Sequence, residues 1–251
     1  MSQTCIHDSF NCIDLKSIRL PYLLLILSAL LFLQCERIKE NILPHTELIF
    51  PLEEGKFRIS VVYDTTFTTA GINNPSTEAY YKKETNGKKE EDLLGREVTL
   101  LQVERSDFDR GTDFDFTPTR VWSQYTPTEE EDSFFAERIE ENQRILVLKF
   151  PVFTNISWNG NQFNTVGTEE YYYAHVDTTV TVQGQTFENC VMVMQENVDG
   201  LIRKSLKYEI YAPNVGLIKK YINTIVNDGP PGEEFNPDES RIYLEEIVEH
   251  N

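Results

Sequence analysis

The sequence predicts an all-β fold, a strongly curved antiparallel meander of about ten strands that closes into a half-barrel or barrel. Three observations lead there. Beyond residue 56, apolar and polar residues alternate with period two in run after run, the pattern of half-buried strands. Turn dipeptides fall between the runs (Asn86-Gly87, Asn159-Gly160, Gln183-Gly184, Asp199-Gly200) and suit two-residue hairpins, which make sequence neighbours antiparallel neighbours in space. Few stretches keep a helical period for even about 11 residues.

The elements follow in order. Phe57, Ile59, Val61, Tyr63 and Phe67 share one face of a strand, with Arg58, Ser60, Asp64 and Thr66 on the other. Residues 98–103 form the next, and 121–125, 134–139 and 145–150 are shorter candidates, 129–141 also admitting a short helix. Tyr172, Ala174, Val176, Val180 and Val182 fall on one face of a long strand. Residues 190–194 are apolar on both faces and read as central. In 202–210, Ile202, Leu206, Tyr208 and Ile210 alternate with Arg203, Lys207 and Glu209; 215–226 and 242–248 complete the set. Polar loops are expected at 107–118 and 227–234. A meander this large curls or closes because strands twist.

The first 34 residues read differently. Lys16 and Arg19 precede an apolar run from Leu20 to Leu33, too short for the ~20 residues that span a bilayer and matched to the ~7–15 of a signal-peptide core. A charged stretch, Cys35-Glu-Arg-Ile-Lys-Glu40, follows at once. Translation from Leu15 would give a compact basic leader, Met-Lys-Ser-Ile-Arg. Basic flank, short apolar core and cysteine resemble the signal of a bacterial lipoprotein, although Gln34 stands where that pattern has a small residue. The resemblance implies cleavage before Cys35 and a diacylglycerol on its sulfur. The expected organisation is a lipoprotein signal peptide at 1–34, a lipid-attached linker at 35–50 and a single β domain at 51–251.

Charge and cysteine content narrow the function. The formal net charge is −18, and the leader's Asp8, Asp14, Lys16 and Arg19 cancel, so the excess lies on the mature chain. Such a surface repels phosphate backbones and anionic head groups, which speaks against nucleic-acid binding and leaves membrane attachment to the lipid. After cleavage only Cys35 and Cys190 remain, too few for a disulfide scaffold. Cys190, in the apolar run Cys-Val-Met-Val-Met194, reads as a buried, inert thiol.

No pattern points to catalysis. Asp107, Asp109, Asp113 and Asp115 cluster, but their spacing is not that of a calcium loop and Arg110 intrudes. His7, His45, His175 and His250 form no zinc spacing, no Gly-x-Ser-x-Gly is present, and phosphate-binding glycine loops are absent. His175 alternates with Tyr171 and Tyr173, either as a polar-aromatic patch or as one face of an amphipathic sheet. Neither an enzyme activity nor a metal or cofactor is expected.

Phrases spread along the chain carry a further resemblance. Phe50-Pro-Leu-Glu-Glu-Gly55, Leu94-Gly-Arg96, Phe150-Pro151, Trp158-Asn-Gly-Asn161 and Tyr211-Ala-Pro-Asn-Val-Gly-Leu-Ile-Lys219 occur in this order. Together they resemble uncharacterised lipoproteins of Bacteroidetes over most of residues 50–248. That implies an envelope lipoprotein, at the outer membrane and facing periplasm or cell surface. Two functions are expected: a non-enzymatic binding or structural module for a protein or glycan partner, or a carrier holding an apolar small molecule against a concave face lined by Tyr172, Val176, Met192 and Met194.

Overall fold

The structure, a computed structural model, describes residues 46–251 except 69–70, 111–112, 131–132, 141 and 229–234. The presumed signal, Cys35 and most of the linker lie outside the described residues. A helical turn, α1 (Thr46–Ile49), leads into β1 (Phe57–Thr68), β2 (Gly71–Glu91), β3 (Glu97–Asp107), β4 (Thr117–Glu130), β5 (Ser133–Glu140) and β6 (Gln143–Phe150). The chain continues through β7 (Ser157–Asn159), β8 (Glu170–Val182), β9 (Gln185–Asp199), β10 (Arg203–Ala212), β11 (Gly216–Val226) and β12 (Asn236–His250).

All twelve strands belong to one antiparallel sheet, ordered β6-β5-β4-β3-β2-β1-β12-β11-β10-β9-β8-β7. Two meanders are joined where β1 pairs with β12. The sheet's outer strands, β6 and β7, are consecutive in the chain and come back together, so the sheet is a nearly closed barrel. The seam is held by few bonds. Leu146 N donates to Gly160 O at 2.9 Å, and Trp158 Nε1 donates to Leu146 O at 2.9 Å. The Tyr173 hydroxyl accepts from Lys149 N at 3.0 Å and donates to Lys149 O. Closure of this kind removes the exposed sheet edge.

The all-β meander expected from sequence is present, with twelve strands against about ten. The difference is β2, 21 residues long, and the short β7. Asn86-Gly87 is not a hairpin turn; it lies within β2, where the pairing with β3 shifts between Asn86 and Lys89. Residues 134–139 are strand, not helix. Gln183-Gly184 is a two-residue hairpin turn with both residues at positive φ, 47° and 79°. The packed domain starts earlier than Pro51: Ile49 and Phe50, at the end of the expected linker, are buried in the main core.

That core holds Ile49, Phe50, Leu146, Leu148, Trp158, Tyr173, Val193 and Tyr211 among others, and closes the end of the barrel at which the chain enters β1. Asn214, in the β10–β11 turn, donates its backbone N to Leu48 O at 2.6 Å, and Phe57 N donates to the Asn251 side chain at 2.7 Å. This is the entry end. A second cluster (Val182, Cys190, Ile210, Ala212, Ile218, Ile247) lies on the opposite sheet face. The β8–β9 hairpin bends over it, with Gln183 Nε2 donating to Glu246 at 2.7 Å and Gln185 Nε2 to Val248 O at 2.8 Å.

Candidate functional site

Toward the other end, the far end, the barrel encloses a cavity of about 550 Å³ walled by β1–β6, β11 and β12. Its walls follow from strand register. On β2, Glu78, Tyr80, Lys82 and Glu84 share one face by period two, opposite Asp64, Val62, Ser60 and Arg58 of β1. On β12, Tyr243 and Glu245 fall opposite Asp64 and Val62. β5 adds Arg138 and Glu140, β4 adds Arg120 and Trp122, and β11 adds Lys220.

The interior is therefore ionic. Arg58 meets Glu84 at 2.6 Å, and Lys82 reaches both Glu84, at 3.5 Å, and Glu245, at 2.6 Å. Arg138 pairs with Glu140 and lies 3.9 Å from Glu209, which Lys220 contacts at 3.1 Å. Tyr211 and Tyr243 donate their hydroxyls to Glu209 and Glu245 at 2.5 and 2.8 Å. At the mouth, Arg105 grips Glu78 and Arg241 grips Asp64, each through two nitrogens.

Burial would raise the Glu84 carboxyl, but Arg58, Lys82 and Arg138 hold it down to about 2. Burial likewise opposes ionisation of Glu209, and Lys220, Arg138 and the Tyr211 hydroxyl hold it at about 2. Glu140 is lowered against burial by Arg138 and Lys220. Burial pushes the Tyr211 and Tyr243 hydroxyls well up, reinforced by Glu209 and Glu245 respectively. Glu84, Glu140 and Glu209 are thus held below the ordinary carboxylate range, and none of the three is poised near neutrality as a general acid.

Five carboxylates and six cations line the cavity, and Glu84, Glu209 and Arg58 stand behind them, so the interior is balanced in a chain of net charge −18. Four buried polar atoms of the lining have no hydrogen-bond partner among the described residues; Arg138 Nε and Glu140 Oε1 face each other as an ion pair, which leaves the indole Nε1 of Trp122 and Oε1 of Glu245. One is a donor and the other an acceptor. The Trp122 ring is also approached by Lys82, Arg120 and Arg138 at 5.7–5.8 Å from its centre.

The residues expected to form an apolar ligand face do not line this cavity. Tyr172 is exposed opposite Met194 on β9, which is buried. Met192 packs against the second cluster and Val176 against the main core. The cause is local: the β8–β9 ladder shifts register between Tyr173 and His175 and again before Thr178, so strict alternation fails. The same shifts separate exposed His175 from Tyr171 and Tyr173, both buried in the main core. Cys190 is buried, as its apolar surroundings imply, and burial pushes its thiol up to about 11. Among the described residues no group of three or more His, Cys, Asp or Glu side chains is placed to hold a metal ion.

Sequence reasoning missed the ionic interior. The available signal was polar alternation, Glu78-x-Tyr80-x-Lys82-x-Glu84 on β2 matched by Glu209-x-Tyr211 and Tyr243-x-Glu245.

No family model matches the chain, and no curated protein matches it significantly. Two solved structures are similar. One, from Parabacteroides distasonis, is described as a presumed lipoprotein; it is 12% identical with a TM-score of 0.42, covering 81% of this chain and 98% of that one. The other, from Bacteroides fragilis, is described as a presumed exported protein with a YmcC-like fold; it is 13% identical with a TM-score of 0.43, covering 81% of this chain and 99% of that one.

Proposed function

We propose that this chain is an exported, lipid-anchored module of the bacterial cell envelope, whose barrel binds a neutral polyhydroxylated ligand of the saccharide class without catalysing a reaction on it. The observation that carries the ligand class is the charge-balanced cavity with an unpartnered donor, Trp122 Nε1, and an unpartnered acceptor, Glu245 Oε1. A hydroxyl group both accepts and donates, so a polyol satisfies the two together. Sugar rings also offer the flat C–H faces that Trp122 and Tyr80 can cover, and about 550 Å³ is within the range of small-molecule pockets.

The alternatives fit less well. An acyl chain in this cavity would strip water from ionised side chains without replacing the hydrogen bonds they lose. A strongly charged ligand would unbalance an interior whose charges already match. Catalysis is disfavoured because the shifted carboxylates are held down by cations and none is raised toward neutrality. Anchoring is supported by the basic flank, short apolar core and Cys35 of the leader.

Titration of the mature chain with neutral oligosaccharides from the source envelope tests the ligand class. Trp122→Phe keeps a ring and loses the N–H, and is expected to weaken binding roughly tenfold. Unchanged affinity in that variant, or binding only of fatty acids, contradicts the assignment. Detergent phase partitioning tests the anchor: wild type should enter the detergent phase and Cys35→Ala should not.

A further inference from the structure

We infer that the turn between β2 and β3 is a membrane-contacting tip, with Leu93 and Leu94 entering the interfacial layer of the bilayer that holds the lipid on Cys35. The inference rests on that anchoring.

The turn is built, not loose. Asp92 accepts from the backbone N of Leu94 at 2.8 Å and of Arg96 at 3.0 Å, and its second oxygen takes the Arg96 Nε–H at 2.8 Å. Asp92 N and O bond Arg96 O and Gly95 N at 3.0 and 2.9 Å. Gly95 supplies the left-handed residue at φ 74°. The Arg96 guanidinium lies 4.4 Å from the Tyr125 ring centre and fixes the base of the turn. Around this frame the side chains of Leu93 and Leu94 stand almost wholly in water. A rigid polar clamp that presents two adjacent leucines to solvent is the reverse of an ordinary hairpin tip, which is polar.

The location names the occupant. Thr85 of β2 pairs with Phe57, the first residue of β1, and β2 then continues to Glu91. The tip therefore projects about 20 Å past the start of β1 at ~3.4 Å per residue, at the barrel's entry end. Chain entry is at this same end, and Cys35 precedes Thr46 by 11 positions, a reach of at most ~40 Å when extended. A bilayer holding the lipid is thus within reach of the tip. Charge agrees. Lys88, Lys89 and Arg96 nearly offset Glu90, Glu91, Asp92 and Glu97, whereas the chain as a whole carries −18. The turn itself is close to neutral and meets little repulsion from anionic head groups, while the acids at this end, Glu129 and Glu130, sit on the neighbouring β4–β5 hairpin.

The test uses the full chain, processed in a lipoprotein-making bacterium and reconstituted in vesicles of phosphatidylethanolamine and phosphatidylglycerol. A nitroxide is attached at Leu94→Cys or, as a control at the far end, at Leu201→Cys, another exposed leucine in a turn. Cys190 is buried and does not compete for the label. Mass spectrometry of the same sample reads the lipid on Cys35. The expected result is several-fold greater accessibility to oxygen relative to a water-soluble nickel complex at 94 than at 201. Equal accessibility, or the reverse, in lipid-bearing protein overturns the tip and leaves the anchor standing. A chain without lipid on Cys35 overturns both.

Discussion

Glu84 shows most directly how the interior works. It is almost fully buried yet ionised, because Arg58 and Lys82 stand beside it and Arg138 adds to their field. Removing one member of such a set leaves the others charged, dry and unmatched, so Glu84→Gln should cost about 3–5 kcal/mol in denaturant unfolding. The pH dependence has a definite sign. Glu84 and Glu209 are held at about 2 against an ordinary 4.5, so the unfolded chain takes up protons there first. Their contribution to stability is complete above pH 4.5 and is lost as pH falls from there toward 2. The denaturant midpoint should drop across that window, and less steeply in a Glu84→Gln/Glu209→Gln variant. Gly160 is a steric counterpart: a Cβ there would lie 2.3 Å from the Tyr171 ring. Gly160→Ala should destabilise by about 1–3 kcal/mol, and Tyr171→Leu should recover part of that loss in the double variant.

Among the elements, legibility depended on what each strand faces. β1, β6, β10 and β11 each carry three or four consecutive buried positions rich in aliphatic residues, and their apolar content identified them in sequence. β2 presents Glu78, Tyr80, Lys82 and Glu84 inward and Ala79, Tyr81 and Lys83 outward, so apolar periodicity is absent although the structural period of two is intact. A method that looks for hydrophobic alternation is blind to a strand facing a polar interior, and the candidate site was missed for the same reason. In β8 the opposite error arose: the apolar period was present, but register shifts turned Val176 away from the face it was expected to share with Tyr172. The seam between β6 and β7 is the thinnest part of the barrel. Trp158→Phe keeps most of the ring and loses the bond to Leu146 O, so it should cost about 1–3 kcal/mol. Hydrogen exchange should then rise at Leu146 and Lys149 before it rises in β1; uniform acceleration would mean that the seam is not where the barrel opens.

At the scale of the whole molecule the barrel is polar in two senses: its entry end is stoppered by Ile49, Phe50 and the main core, and its far end holds the ionic cavity. Sequence alone gave the class, the curvature and nearly all the strands, because turn dipeptides and twist constrain a long meander to curl. It could not give the contents of the interior, which depend on pairing β1 with β2 and with β12, the latter across 183 positions between Val62 and Glu245 and 179 between Asp64 and Tyr243, to bring scattered charges face to face. The proposed guest, neutral and hydroxyl-rich, matches an interior so arranged better than an apolar one would. Native mass spectrometry of the mature chain purified from its own organism tests this most directly. A retained saccharide mass that denaturation releases and that Trp122→Phe diminishes is expected. A retained acyl mass, or an empty protein that stays empty after exposure to envelope saccharides, would overturn the proposed ligand class.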